Sequence, residues 1–208
     1  MDLVDSLRQI DVDVFRALNR AGSNDILDGL MILLTILGIG YVIVLVCVPL
    51  WIKGKREAAF DLVVIVVVVT VVTESIKLLV DRPRPFEELA NVHNIVSASG
   101  PAFPSAHASR AFAVAMLVSL NSRRLWGSFA FIVATLVALS RVYLGVHWPS
   151  DILAGALLGI VLALFVVQVA KRNRSYKRSR EWTIKRFRSF AIGVHHRIRS
   201  ARAIAAVA

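Results

Sequence analysis

Three separated segments of the sequence concentrate cations, histidines and carboxylates. These segments are Lys77–Pro85, Pro104–His107 and Ser140–Asp151. Cations grouped near a membrane are costly unless a polyanion lies among them, and a phosphate group meets that need. If the segments meet in space, the sequence predicts a phosphate site whose cations are Lys77, Arg84 and Arg141.

The two histidines of these segments can divide the work of phosphoryl transfer. One imidazole can attack phosphorus while the other donates a proton to the departing oxygen. Asp151 follows His147 by four residues, and Pro149 is expected to begin a helix between them. The Asp151 carboxylate can therefore hold one imidazole nitrogen protonated and leave the other free to attack. Ser105 and the amides after it stand at a predicted helix start, a position that binds anions.

Long apolar runs must position these residues, because 57% of the chain is hydrophobic. A membrane-spanning helix needs about 20 mostly apolar residues. Such runs occur at residues 28–53, 58–80, 105–120, 125–144 and 152–170. Gly38 and Gly40 interrupt the first run, and glycine is tolerated within membrane helices. The sequence therefore predicts an all-α, polytopic membrane helix bundle with about five transmembrane helices.

The residues before the first run predict a separate short helix. Leu3, Ile10, Val14, Phe15 and Leu18 are near helical spacing, which suits an amphipathic helix lying at the membrane interface. A disordered leader is the alternative. Because the charges here are scattered and lack the basic start and apolar core of a cleavable signal, we expect this segment to be retained.

Residues 171–208 carry the whole positive balance of the protein. They hold 12 Lys and Arg against one acid, Glu181, so their net charge equals the +11 of the whole chain. A basic segment directly after a span is expected on the cytoplasmic side, near anionic lipid headgroups. Trp182 and Phe187 interleave with the bases, which favours an amphipathic helix on the membrane surface. Nucleic-acid binding is the alternative, but no zinc-ligand set or aromatic-rich binding motif accompanies the bases, and no nucleic-acid partner is expected.

Basic residues also predict the orientation of the bundle. Lys53, Lys55 and Arg56 lie between the first two runs, and Arg123 and Arg124 lie between the third and fourth. These loops and the basic segment 171–208 share one face, which the positive-inside rule makes cytoplasmic. Residues 1–25, in which Asp outnumbers Arg, and the three phosphate-site segments then lie on the non-cytoplasmic face.

Each candidate residue, taken singly, has an ordinary structural explanation. A lone histidine at a membrane boundary is more often structural, and Lys or Arg at the end of a span commonly extends to the interface. Glu74 lies three residues before Lys77 on one helical face and is placed to pair with it. The functional interpretation is favoured because the cations and both histidines fall together on the face that should be poor in bases.

The three segments resemble the signature of the phosphatidic acid phosphatase type 2 superfamily, which is shared with vanadium haloperoxidases. That signature is K-x6-R-P, then P-S-G-H, then S-R-x5-H-x3-D. It is matched by Lys77, Arg84, Pro85, Pro104, Ser105, His107, Ser140, Arg141, His147 and Asp151. Ala106 replaces the family's glycine, which lets a backbone amide approach the phosphate. Since a methyl group is a small intrusion, the Ala106 amide is still expected to serve.

This resemblance implies a mechanism. His147 would be the nucleophile that forms a phosphohistidine, Asp151 would orient it, and His107 would be the general acid. The phosphate oxygens would be held by a cradle of Lys77, Arg84, Ser105, the Ala106 amide and Arg141. The scheme requires no metal or other cofactor, and the sequence has no HExxH, clustered-cysteine or acidic metal-ligand motif. Residues 1–170 would form the membrane-embedded catalytic domain, and residues 171–208 the basic cytoplasmic tail.

The implied partner is a phosphorylated lipid, because the site lies at headgroup level. The chain size, its short linkers, and the stretch 19–22 followed by Leu27 and Asp28 resemble the bacitracin-resistance type of undecaprenyl diphosphatase. The expected reaction is hydrolysis of a polyprenyl diphosphate to the monophosphate. Phosphatidic acid or phosphatidylglycerol phosphate is the alternative substrate. A soluble haloperoxidase conflicts with the apolar runs. A non-catalytic protein that binds anionic lipid through its tail conflicts with a signature matched at every position except Ala106.

Overall fold

The computed structural model describes residues 3–19 and 24–205, and every regular element among them is helical. In chain order the helices are α1 (Leu3–Asn19), α2 (Asp25–Ile36), α3 (Gly40–Leu45), α4 (Cys47–Ile52), α5 (Arg56–Val80), α6 (Pro85–Glu88), α7 (Ala106–Asn121), α8 (Arg124–Tyr143), α9 (Pro149–Arg172) and α10 (Arg174–Ala205). The predicted all-α class and the predicted N-terminal helix, α1, are confirmed.

The predicted transmembrane segments are all helical, but their number by length and composition is smaller than five. Within the described residues, three segments are long and apolar enough to cross a membrane: Arg56–Glu88, Arg124–Tyr143 and Pro149–Arg172. The first predicted run becomes a broken span, because Asp25–Ile36 and Gly40–Ile52 meet at a bend of 63°. If that pair is counted as one span, the described residues contain four candidate spans. α7, the remaining predicted span, has only 16 residues and packs among α5, α8 and α9.

The start of α7 is fixed by very close packing against α9. A Cβ atom added at Gly155 would lie 2.6 Å from the carbonyl oxygen of Ser105, and one added at Gly159 would overlap the carbonyl of Ser109. Glycines spaced four residues apart allow this close approach of two membrane helices. The contact sets the distance between the beginning of α7 and the beginning of α9, where predicted site residues lie.

The break between α2 and α3 also lies beside the predicted site. A Cβ atom at Gly38 would be 2.8 Å from Cδ2 of His107 and 2.7 Å from Cγ1 of Val137, so a side chain at this position would displace the histidine. The Gly38 carbonyl accepts a hydrogen bond from Nε of Arg110 at 3.2 Å. A backbone group released from a broken membrane helix needs such a partner. The first predicted span is therefore bent at the glycines that interrupt its apolar run.

α1 is docked against the bundle through both apolar and polar contacts. Phe15 is buried and its ring centroid lies 5.4 Å from that of Trp148, at the start of α9. The Asn19 side-chain amide donates to the carbonyls of Tyr143 at 2.7 Å and His93 at 2.9 Å. α1 is thus held next to the loop that connects α8 to α9.

The basic segment forms the long helix α10, whose first turns contact the start of α5. Arg180 Nη2 lies 2.8 Å from Glu57 Oε2, and its Nη1 lies 3.1 Å from Asp61 Oδ2. The Tyr176 hydroxyl donates to Asp61 Oδ1 at 2.7 Å. An acidic residue at the edge of an apolar span is stabilised by such partners. The basic helix is therefore anchored at the end of the bundle opposite to the three predicted site segments.

Candidate active site

His147 and Asp151 form a buried pair at the start of α9. His147 lies in the α8–α9 loop, Pro149 begins α9 as predicted, and Asp151 is in its first turn. The His147 Nδ1 atom is 3.3 Å from Asp151 Oδ2, and both side chains are buried. Because a carboxylate only accepts hydrogen bonds, this contact places the proton on Nδ1 and leaves Nε2 unprotonated.

The surroundings of His147 favour its neutral form. Burial lowers the pKa of His147 well below its ordinary range, and the charges of Arg141, Arg84 and Lys77 lower it further. A neutral imidazole is the form that can attack phosphorus. The same three cations are the ones that the sequence assigns to phosphate, so the structure brings them within electrostatic range of the predicted nucleophile.

The beginning of α7 supplies polar groups without protein partners. Ser105 precedes the helix, and among the described residues its buried hydroxyl makes no hydrogen bond. Its backbone N–H donates to the Asp151 carbonyl at 3.0 Å, which ties this helix start to α9. Ala106 is buried at the first position of α7, and His107 follows, half-buried. A buried unpartnered hydroxyl at a helix N-terminus fits an anion site.

Two of the predicted cations reach the site from α5 and α8. Arg141 is buried; its Nη1 donates to the Thr35 hydroxyl at 2.6 Å, while its buried Nε has no partner in the described part of the chain. Lys77 Nζ lies 3.5 Å from Glu74 Oε1, so the pairing considered from sequence is present. Since an ammonium has three N–H donors, pairing with Glu74 leaves Lys77 with donors for a second anion.

Arg84 is placed near the site, but its hydrogen bonds go to backbone carbonyls. Its Nε donates to Gly100 at 2.8 Å, its Nη1 to Val146 at 2.7 Å, and its Nη2 to Ser99 at 3.0 Å. These bonds join the loop before α7 to the loop that carries His147. Arg84 therefore holds two site loops together. Its predicted contact with phosphate would use guanidinium N–H groups that these three hydrogen bonds leave free.

Residues 58–175 match the sequence model of a family described as the PAP2 superfamily. The chain belongs to the PAP2 superfamily. The matched range contains every predicted site residue, and the family resemblance of the three segments is confirmed. The fold, the apolar spans and this family together identify the PAP2 chain as a multi-pass membrane lipid phosphatase, a hydrolase.

Similar proteins agree with this placement. Putative undecaprenyl-diphosphatase YbjG of Escherichia coli (strain K12) is 34% identical over 147 residues, covering 68% of this chain and 74% of that protein. The undecaprenyl-diphosphatase of Sulfolobus acidocaldarius is 34% identical over 163 residues, covering 76% and 78%. The crystal structure of Aquifex aeolicus LpxE matches with a TM-score of 0.72 and 30% identity, covering 76% of this chain and 95% of that one.

Sequence reasoning missed a pair of ionic contacts behind Asp151 in this PAP2 chain. Arg82 Nη1 donates to Asp151 Oδ1 at 2.8 Å and to the Ser150 hydroxyl at 2.6 Å, and its Nη2 donates to Asp11 Oδ2 at 2.6 Å. The Trp148 backbone N–H occupies the other Asp151 oxygen at 2.9 Å. Arg82 lies inside the first signature segment, and its charge at that position was the available sequence signal. The contribution of α1 through Asp11 had no local signal.

Arg110 was also missed. It is buried on α7, one turn after His107, and it interacts electrostatically with Lys77, Arg141 and His107. Positions three apart on a helix share a face, so the spacing from His107 was the available signal. Arg82 and Arg110 thus add two arginines to Arg84 and Arg141, the two that the signature names.

Proposed function

We propose that this PAP2 phosphatase hydrolyses a polyprenyl diphosphate to the monophosphate through a phosphohistidine on His147. The observation that carries the chemistry is the buried His147–Asp151 pair, which leaves Nε2 free among the cations Lys77, Arg84 and Arg141. The substrate class is supported by the two undecaprenyl-diphosphatase relatives, each 34% identical.

The proposed reaction has two steps. In the first, Nε2 of His147 attacks the terminal phosphorus, the bond to the bridging oxygen breaks, and His107 protonates that oxygen as the lipid monophosphate leaves. In the second, His107 takes a proton from water, the water oxygen attacks phosphorus, and the bond to Nε2 breaks. Inorganic phosphate is released, His147 is restored, and Asp151 holds the Nδ1 proton throughout.

The cradle is proposed to stabilise the charge of both transition states. The unpartnered Ser105 hydroxyl and the unpartnered Nε of Arg141 are donors ready to bind phosphate oxygens. They are fixed before substrate arrives, Ser105 by its N–H bond to α9 and Arg141 by Thr35. Donors held in place in a water-poor site stabilise developing charge more than mobile ones do.

An apolar groove beside His107 supports a lipid substrate. It lies between α3, α7 and α8, has a volume of about 310 Å³, and includes Leu37 and Val137 at one end. Val137 and His107 both contact Gly38, so this end of the groove adjoins the proposed general acid. A prenyl chain lying in the groove would place its phosphates at the cradle.

The wild-type protein, purified in detergent with a chelator present, should release inorganic phosphate from undecaprenyl diphosphate. We expect kcat/KM for this lipid to exceed that for phosphatidic acid and for phosphatidylglycerol phosphate by about tenfold or more, as for a difference of one well-bound charged group. Vanadate, which mimics pentavalent phosphorus, should inhibit. A preference for either phospholipid, or activity that vanadate at millimolar concentration leaves unchanged, would contradict the proposal.

We also propose that the site faces the non-cytoplasmic side, that residues 1–170 form the catalytic domain, and that the basic segment 171–208 lies in the cytoplasm against anionic headgroups. The positive-inside distribution supports this orientation, because the loop around Lys53 and the first turns of α10 lie at the end of the bundle away from His147. Exposed bases on α10 can contribute about 1 kcal/mol each at an anionic surface.

Cysteine labelling of intact cells tests the orientation. In a Cys47→Ser background, Asn94→Cys should react with a membrane-impermeant maleimide, and Ser122→Cys should react only after the cells are opened. Both positions are exposed in the fold and lie outside the site. The reverse pattern, with Ser122→Cys labelled in intact cells, would invert the topology.

A further inference from the structure

Arg110 is a buried cation that the two-step reaction does not use. Its relative exposure is 9%, and it lies on α7 one turn further into the bundle than His107. An ionisable side chain within a membrane-embedded bundle is costly and usually has a functional partner. Within the described residues, its one hydrogen bond is from Nε to the Gly38 carbonyl, and no carboxylate forms an ion pair with it. Its terminal nitrogens are left available to an anion.

The charge around Arg110 exceeds what one phosphate needs. Arg110 and Arg84 each interact electrostatically with both Lys77 and Arg141. In the described structure Glu74 pairs with Lys77, and Glu87 and Asp151 act on Arg84, but no carboxylate forms an ion pair with Arg110 or Arg141. A phosphomonoester carries about two negative charges at neutral pH, and a second phosphoryl group adds more. The group is therefore better matched to a diphosphate than to a monoester.

The position of Arg110 agrees with the direction of the proposed reaction. His107 protonates the oxygen that bridges the two phosphates. In an in-line displacement the second phosphate therefore leaves next to His107, on the side of the transferred phosphorus opposite to His147. Arg110 is three residues after His107 and therefore on the same helix face. It is also joined to Gly38, beside which the apolar groove begins. A guanidinium here can bind two oxygens of the departing phosphate at once.

We propose that Arg110 binds the second phosphate of the substrate, the one that stays on the lipid, and thereby selects diphosphates over phosphomonoesters. This inference rests on the proposed function. It assigns to Arg110 stabilisation of the leaving lipid monophosphate, whereas the cradle holds the phosphate that is transferred. The charge, and not the hydrogen bond to Gly38, is the property that matters.

Two substitutions separate these properties. Arg110→Gln keeps an N–H donor for the Gly38 carbonyl but removes the charge, and Arg110→Lys keeps the charge. We expect Arg110→Gln to lower kcat/KM for undecaprenyl diphosphate about 10- to 100-fold more than kcat/KM for phosphatidic acid, as for loss of a charged hydrogen bond. Arg110→Lys should retain most of the preference. Arg124→Gln, at an exposed base at the start of α8, is the matched control and should leave both values unchanged.

A second measurement does not depend on turnover of either lipid. Inhibition constants are compared for methylenediphosphonate and for inorganic phosphate, and only the first should rise in Arg110→Gln. Equal losses for both substrates and both inhibitors, or no loss at all, would overturn the role of Arg110. If the wild type prefers phosphatidic acid, the proposed function fails, yet the inhibitor ratio still decides whether Arg110 binds a second phosphate.

Discussion

Replacement of His147 by alanine should lower phosphate release from a lipid diphosphate by at least about 10⁴-fold, in line with losses seen when the central residues of a catalytic triad are removed. The physical reason is that alanine removes the imidazole nitrogen that would form the covalent bond to phosphorus. His147 is buried, held by Asp151, and directed at the cations of the cradle. The measurement is kcat/KM in detergent, with thermal unfolding as a check that the variant folds.

A second His–Asp pair in the chain provides the control. His93 Nε2 lies 2.9 Å from Asp28 Oδ1, and this pair is joined to Tyr143, outside the cradle. Because it is similar in chemistry but not aimed at the cations, His93→Gln should keep kcat/KM within about threefold of wild type, as for an ordinary partly exposed position.

The covalent step can be observed directly. Rapid acid-free quenching of wild type with ³²P-labelled substrate should trap a phosphoenzyme that is labile to acid and stable to alkali, as phosphohistidine is, and His147→Ala should trap none. Label on another residue, or undiminished turnover by His147→Ala, would rule out the mechanism while leaving the family assignment intact.

The helices, and the convergence of most candidate site residues at one end of the bundle, could be predicted because both depend on local sequence. Apolar runs determine membrane helices, since the backbone must satisfy its own hydrogen bonds in lipid. Because successive helices cross the membrane in opposite directions, the ends of α5 and α8 and the starts of α7 and α9 lie on one face. This is why the amino-acid sequence alone groups Lys77, Ser105, Arg141 and His147.

The remaining features depend on contacts between distant parts of the chain. Asp11 reaches Arg82 across 71 positions, and it does so only because α1 docks on the α8–α9 loop. Arg84 donates to carbonyls whose positions are set by the loop before α7. The bend near Gly38 lies against His107 and Val137, which leave no room for a side chain there, and no hydrophobic pattern contains this contact. Contacts between residues so far apart in the chain leave no pattern in the local sequence.

Arg82 is a positioning residue, and its removal should have the second-largest effect. It holds Asp151 at 2.8 Å and is itself held by Asp11 at 2.6 Å, so it fixes the carboxylate that orients His147. Arg82→Ala should lower kcat by about 10²-fold to 10³-fold, between the loss of an outer-shell partner and the loss of a triad carboxylate. Because Arg82 does not contact the proposed phosphate position, the inhibition constant of vanadate should change by less than about threefold, a change that is small on the affinity scale.

This split between kcat and vanadate affinity distinguishes positioning from general damage. Arg82→Lys, which keeps a charge that can reach Asp151, should recover part of the lost kcat. Asp11 holds Arg82 and also accepts hydrogen bonds from the N–H and the hydroxyl of Ser150. Because Arg82 is a shared partner, the costs of Asp11→Asn and Arg82→Ala should be less than additive in the double variant. The matched control is Arg8→Ala, which removes another ion pair of α1, that with Glu88 at 3.0 Å, where Arg8 is 68% exposed. An exposed pair contributes little, so this variant should remain fully active. If Arg8→Ala proves as damaging as Arg82→Ala, or if vanadate affinity falls together with kcat, then Arg82 supports the docking of α1 and does not act on His147 through Asp151.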